Sequence, residues 1–212
     1  MRTADLIELL ARDTQARPPG AAARKLLVAL AAGGAVTLAL VALGLHCQAL
    51  AEAVRQPWFW MKAGYTGLLT VAATVTVKRL AAPGTRLNGA PLAIVLIVLA
   101  MLALGAGQIL FAAPASRLDL WLGQTWKVCS PLILLLALPI YAALVIALRD
   151  LAPTRLMHTG ALAGFTAGAL AATLYGLHCP EQAAAFVATW YTLGIAAAAA
   201  LGALTGPWLL RW

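Results

Sequence analysis

Charge is scarce in this chain, and acidic charge scarcer still. Only 10% of its 212 residues are charged, and its seven Asp and Glu are scattered through tails and connecting segments. Transporters keep carboxylates, histidines or broken helices near the bilayer midplane, so a chain without Asp or Glu in its apolar runs is a poor transporter. It also has no glycine-rich phosphate loop, no His-Glu-x-x-His and no serine-nucleophile motif, which argues against an ordinary enzyme. Its three cysteines are isolated. A membrane thiol oxidoreductase passing electrons to a quinone needs a Cys-x-x-Cys pair and a resolving pair, and neither is present.

What the chain has in quantity is apolar length. With 63% hydrophobic residues and mean hydropathy +0.89, it lies outside the range of soluble domains. A hydrocarbon core of about 30 Å takes roughly 20 apolar residues of helix. Six runs meet that length: 26–45, 58–77, 91–111, 128–148, 159–177 and about 183–210, the last with room for tilt or interfacial turns. The expected fold is an all-α integral membrane bundle of six transmembrane helices (26–212) behind a cytoplasmic tail (1–25). A polar segment precedes the first run and five more runs follow it, so a cleaved signal peptide is not expected. His46 before Cys47 argues against a lipoprotein site.

Basic residues set the orientation. Arg2, Arg12, Arg17, Arg24, Lys25, Lys78, Arg79, Arg86, Arg149, Arg155 and Arg211 fall on one side; only Arg55, Lys62, Arg117 and Lys127 fall on the other. Both termini are therefore expected in the cytoplasm. The +8 charge lies along membrane borders, where anionic headgroups attract it, which argues against direct nucleic-acid binding. Trp58, Trp60, Trp121 and Trp126 fall at the outer border and Trp208 and Trp212 at the inner one, as interfacial anchors. Lys62 is expected to snorkel outward, and Gln108 to be satisfied by a neighbouring helix.

In the fifth run Gly160, Gly164, Gly168, Ala172 and Gly176 recur every fourth residue, a ridge that lets another backbone approach and makes this helix central. Gly202 and Gly206 repeat the spacing once. These glycines read as packing rather than as a pore.

Chemistry concentrates at the outer border, where all three thiols, Cys47, Cys129 and Cys179, are expected. His46-Cys47 and His178-Cys179, with Glu181 two residues on, place imidazole and carboxylate near thiol, as soft-metal coordination or a tuned thiolate requires. Outside the cytoplasm, two cysteines on neighbouring helices can also switch between dithiol and disulfide. A metal-binding accessory protein is a rival reading. In the tail, Thr3 can cap a short helix, Asp5 and Glu8 suit its first turns, and Leu6, Ile7, Leu9 and Leu10 form an apolar face. Pro18-Pro19-Gly20 separates it from the membrane. The two acids disfavour anionic lipid, so this face is expected to bind a protein partner.

Several stretches point to one family. They are Asp5-Leu6-Ile7-Glu8-Leu9-Leu10, Pro57-x-Phe59-Trp60-x-Lys62, Leu148-Arg149-x-x-Ala152-Pro153-Thr154-Arg155, Gly160-Ala161-x-Ala163-Gly164, Tyr175-x-Leu177-His178-Cys179-x-Glu181 and Trp190-Tyr191-x-Leu193-Gly194-Ile195. Together the chain resembles the NrsF family of six-span bacterial anti-sigma factors, with Leu-His-Cys-x-Glu the most specific segment. The resemblance implies a negative regulator in the inner membrane. Such a protein sequesters an extracytoplasmic-function sigma factor and releases it under metal or oxidative stress, without a required cofactor; a soft metal ion enters only as a signal. It also implies a cysteine pair, whose matching positions are Cys129 and Cys179, with Cys47 an addition.

Overall fold

The computed structural model describes residue 8 and residues 20–45, 54–80 and 89–211. Described residues are helical or irregular, with no strand among them. Among the described residues six long helices carry the fold: α1 (Ala21–Gly44), α2 (Pro57–Leu80), α3 (Ala90–Phe111), α5 (Trp126–Arg149), α6 (Leu156–Tyr175) and α7 (Ala184–Leu209). The α3–α5 connection holds a short helix α4 (Arg117–Leu122) behind a 3₁₀ turn. Runs 58–77, 91–111 and 128–148 lie within a long helix, and the other three overrun a helix end by one or two residues; α1 and α2 run past their apolar runs at charged ends, because Arg24, Lys25, Lys78 and Arg79 are good helix formers.

Among the described residues, four stretches are long and apolar enough to cross a membrane: α1, α3, Pro114–Arg149 and α7. In α3 only Met101 and Gly105 are buried, while Leu92, Val95, Leu96, Leu99, Leu102 and Leu110 are exposed. Such a surface suits hydrocarbon, not water. The other two long helices, α2 and α6, are richer in Thr and Gly. Thr66, Thr70, Thr74 and Thr76 in α2, and Thr166 and Thr173 in α6, return their hydroxyls to the carbonyl four residues back, at 2.7–2.9 Å. Their polarity is thereby satisfied within the helix.

Helix α6 is the hub, touching α1, α2, α5 and α7, with α7 its main partner. The reason is the absence of side chain. A Cβ on Gly160 would strike the Gly202 carbonyl and approach the Gly206 Cα to 2.7 Å. One on Gly164 would strike the Ala198 carbonyl, and one on Gly168 would reach the Ile195 Cα at 3.0 Å. Lipid gives no hydrophobic drive for helix association, so this close backbone contact supplies the packing energy instead. Gly176 departs from the ridge: it is the C-cap of α6, and a Cβ there would meet only the Thr173 and Ala172 carbonyls of its own turn. Helix α1 leans on α5 in the same way. Gly33 lies against Ile140 and the Pro139 carbonyl, and the Thr37 hydroxyl donates to the Leu136 carbonyl at 3.0 Å.

Where α1 begins, α5 and α7 finish. Lys25 pairs with Asp150 at 2.7 Å, and the Arg149 guanidinium donates to the Leu209 carbonyl. At the opposite end, α5 and α7 begin and α6 stops.

Candidate functional site

That opposite end holds the chemistry. Cys129 sits in the first turn of α5, its N–H bonded to the Thr125 carbonyl at 3.0 Å; Cys179 lies just past α6, its N–H bonded to the Tyr175 carbonyl at 3.0 Å. Both thiols are buried and free. Fifty residues apart in sequence, they face each other within hydrogen-bonding reach, and Tyr175 reaches Cys129 from the end of α6.

Four groups surround this pair, and sequence reasoning assigned a role there to one. Lys62, expected to snorkel, does not: it is 5% exposed and its Nζ donates to the Cys179 carbonyl at 2.9 Å. The carbonyl lies within its reach where α2 packs on α6. Tyr191 ends a π-helical segment, Val187–Tyr191, inside α7. Such bulges rotate side chains out of helical register and cluster at functional sites. Its hydroxyl is fully buried and turned toward Cys179 without completing a hydrogen bond. Tyr175 packs its ring against Tyr191 at 5.9 Å and against His178 at 5.8 Å.

Glu181, read from sequence as a metal ligand or thiolate tuner, is a helix cap in the structure. One carboxylate oxygen accepts the Gln124 N–H at 2.7 Å, the Thr125 N–H at 3.0 Å and the Thr125 hydroxyl at 3.1 Å, just ahead of α5. Backbone N–H groups at a helix start lack intrahelical partners and the helix dipole favours an anion there, so the position suits a carboxylate. Gly123 makes room for it. Its φ of +57° is left-handed, and a Cβ would come within 2.5 Å of the Glu181 carboxylate and 2.8 Å of the Phe186 ring.

Cys179 lies beyond the last turn of α6, and its thiol is held below the ordinary thiol range. The hydrogen bond from Cys129 is the largest cause; contacts from Tyr191 and the Glu181 backbone and the Lys62 charge act in the same direction, against burial. Among the described residues no group of three or more His, Cys, Asp or Glu is placed to hold a metal ion. His46, Cys47 and the tail residues Leu6, Ile7, Leu9 and Leu10 lie outside the described residues.

Around the pair, Trp190 stacks between Trp126 (5.3 Å) and Trp121 (6.0 Å) and donates its indole N–H to the Trp121 carbonyl at 2.9 Å. Gln108 accepts the Ala185 N–H at 3.0 Å, tying α3 to the start of α7.

Comparison with known proteins agrees with the sequence motifs. The chain is 41% identical over 213 residues, covering both chains fully, to a protein of Azospira oryzae named "Probable anti-sigma-F factor NrsF". It is 40% identical over 214 residues, again covering both, to one of Caulobacter vibrioides named "Anti-sigma-F factor NrsF". No solved structure matches it. Residues 10–212 match the family described as "Negative regulator of sigma F", and the chain belongs to that NrsF family.

Proposed function

We propose that this protein is a multi-pass anti-sigma factor of the bacterial inner membrane. It holds an extracytoplasmic-function sigma factor of the sigma F kind in the cytoplasm and releases it when the thiols at its outer end change covalent state. The observation that carries this reading is the meeting of Cys129 and Cys179, from different helices, at the end opposite the start of α1. All six long helices cross the membrane in this reading, α2 and α6 included, since their threonines are internally bonded. The excess of basic residues on the other side puts both termini in the cytoplasm. Residues 1–25 then form the partner-binding tail, with Leu6, Ile7, Leu9 and Leu10 as its contact face, and 26–212 the sensor.

Between thiol chemistry and metal coordination, the disposition of charge favours the former. Glu181 is engaged as a cap and a buried ammonium lies beside the pair, an arrangement that favours an anion over a divalent cation. The test is capture of sigma factor by detergent-solubilised protein, with and without residues 1–20, before and after oxidant or soft metal, and with Cys129→Ser and Cys179→Ser. Capture through the tail, lost on treatment only when both cysteines are present, is the expected result. Failure to capture a sigma factor under any condition would sink the reading, leaving a thiol site without an output.

A further inference from the structure

At the end of the molecule away from the thiols, where α1 begins and α5 finishes, two clefts adjoin. The larger, about 350 Å³, runs between α1 and α5 and is mostly apolar. Ala29 and Ala147, both buried, form its floor, and Val28 and Ile146, 62% and 68% exposed, stand as its rims. The smaller, about 300 Å³, lies against Ala21 and Ala22 in the first turn of α1 and is more polar. Lys25 and Asp150 line both, so their 2.7 Å ion pair marks the border between an apolar compartment and a polar one. The groove has a cause in the sequence. Deeper in the bundle α1 touches α5 directly, through Gly33 on Ile140 and the Thr37 hydroxyl on the Leu136 carbonyl. Nearer the end the lining positions are Ala29, Ala32, Ala143 and Ala147, whose methyls leave the space between the helices open.

Charge at the mouth is unequal. Arg24 and Lys25 line the larger cleft against a single carboxylate, Asp150, and among the described residues no carboxylate pairs with Arg24. A surplus cation above an apolar wall calls for a ligand with an anionic head and a hydrocarbon body. From Arg24 to Ala32 the wall runs about 12 Å along the helix, deeper than a headgroup alone would use and suited to the upper part of an acyl chain. Water there would meet methyl groups and aliphatic rims, a surface that hydrocarbon covers more favourably. A second copy of the chain, or an apolar peptide, would fill the wall and leave the surplus cation without a counter-charge. Basic pockets between transmembrane helices on the cytoplasmic side are places where anionic headgroups bind.

We propose that this pair of clefts binds one anionic phospholipid of the inner leaflet, its phosphate beside Arg24 and Lys25 and one acyl chain along the α1–α5 groove. The site rests on the multi-pass reading given above for its leaflet, since it takes the end where α1 begins to be cytoplasmic, and it is independent of the thiols. Arg24 supplies the selectivity for charge; Ala32 and Ala143 leave the room for the chain. Because the tail leads into α1 at this point, a lipid held here ties the root of the tail to the end of α5.

The experiment takes the full chain from lipid nanodiscs of equal phosphatidylglycerol and phosphatidylcholine into mild detergent and counts retained lipids by native mass spectrometry, with soluble glycerophosphate as a head without chains. One phosphatidylglycerol is expected to stay with each chain, preferred over phosphatidylcholine by about three- to tenfold, and glycerophosphate should not displace it. Arg24→Gln should remove most of that preference and Arg24→Lys should keep it. Arg211→Gln, which removes a cation from a separate cleft at the same end, should leave it unchanged. Ala32→Leu, at an exposed position, fills the groove and should lower retention several-fold without loss of thermal stability. Equal retention of the two lipids, displacement by glycerophosphate, the same loss in Arg24→Gln as in Arg211→Gln, or full retention in Ala32→Leu would each overturn the site. Retention that appears only after residues 1–20 are removed would show that the tail fills the groove, and would overturn it as well. Protease access to the tail in sealed inverted vesicles reads the orientation separately. An outward tail would overturn the leaflet assigned here together with the orientation, whereas a cytoplasmic tail without phosphatidylglycerol selectivity would remove the lipid site alone.

Discussion

Removing the Glu181 carboxylate tests how the thiol end is held together. One oxygen of this side chain accepts three hydrogen bonds at 2.7, 3.0 and 3.1 Å, two from backbone N–H groups just ahead of α5 and one from the Thr125 hydroxyl. Bonds to a charged acceptor contribute about 1.5–3 kcal/mol when buried, and loss of an N-terminal cap costs about 0.5–2 kcal/mol. Gln124 is exposed and Thr125 only half-buried, so water can re-solvate part of what is lost. The low to middle part of these ranges applies, about 1.5–2.5 kcal/mol for Glu181→Ala. Glu181→Gln keeps an acceptor of the same shape and loses only the charge, so about 1 kcal/mol is expected. Cys129 lies four residues into the capped segment, so fraying should also misplace its sulfur. Thermal unfolding in nanodiscs, amide exchange over residues 124–130 and the rate of disulfide closure should all follow the order wild type, Gln, Ala. The adjacent exposed Gln182→Ala serves as control. If Glu181→Ala matches that control in exchange and closure, the cap does not organise the site and the reasoning is wrong.

Other consequences follow from close contacts. Gly123→Ala forces a Cβ into the Glu181 carboxylate at a left-handed φ, so it should cost more than about 2 kcal/mol. It should also be non-additive with Glu181→Ala, since both changes break one cap; a double-mutant cycle in thermal unfolding measures this. Gly160→Ala pushes a methyl into the α7 backbone at Gly202 and should destabilise by about 1–3 kcal/mol, whereas Gly176→Ala should stay within about 1 kcal/mol of wild type. Similar melting temperatures for the two would contradict the packing described. The pull-down with Cys47→Ser should retain treatment-dependent release, because the pair that meets in the structure is Cys129 with Cys179; loss of release would give Cys47 a part in the switch.

The helices were legible because apolar length and charged borders are local properties of sequence. Their bounds were less so: hydropathy stops at Arg24 and Lys25, while helical hydrogen bonding runs through to Ala21. The Gly160, Gly164 and Gly168 ridge was visible as a spacing, but its mate was not, since spacing carries no information about which helix lies opposite. Glu181 was singled out for its nearness to Cys179, but the contacts of its carboxylate were not legible. Its partners are backbone N–H groups 56 and 57 residues away, and backbone donors leave no trace in side-chain pattern. Lys62 stood out as a cation in an apolar run, a signal that deserved more weight than snorkelling gave it. Tyr191 stood out only as part of the Trp190-Tyr191-x-Leu193-Gly194-Ile195 stretch and not for its hydroxyl, which lies at the end of the π segment.

A signal at Cys129 must still reach the tail, and α5 is the physical link with a testable joint. It carries Cys129 in its first turn and ends at Arg149 and Asp150, which hold the ends of α7 and α1 through Leu209 and Lys25. Midway, Pro139 removes a backbone N–H and loosens the helix locally. Helix α1 rests on this segment through Gly33, whose Cβ would come within 2.6 Å of the Ile140 Cα, and through the Thr37 hydroxyl on the Leu136 carbonyl. The tail leads directly into α1. A change in the tilt of α5 on disulfide closure would therefore be felt by α1 at Gly33 and Thr37 before any other helix could relay it. Gly33→Ala should separate the two helices there, at about 1–3 kcal/mol of stability. It should leave disulfide closure near its wild-type rate, since Cys129 lies about three turns of helix away from this contact, while weakening release of the captured sigma factor. Normal closure with normal release would rule out this joint and direct attention to the α6–α7 backbone contact instead.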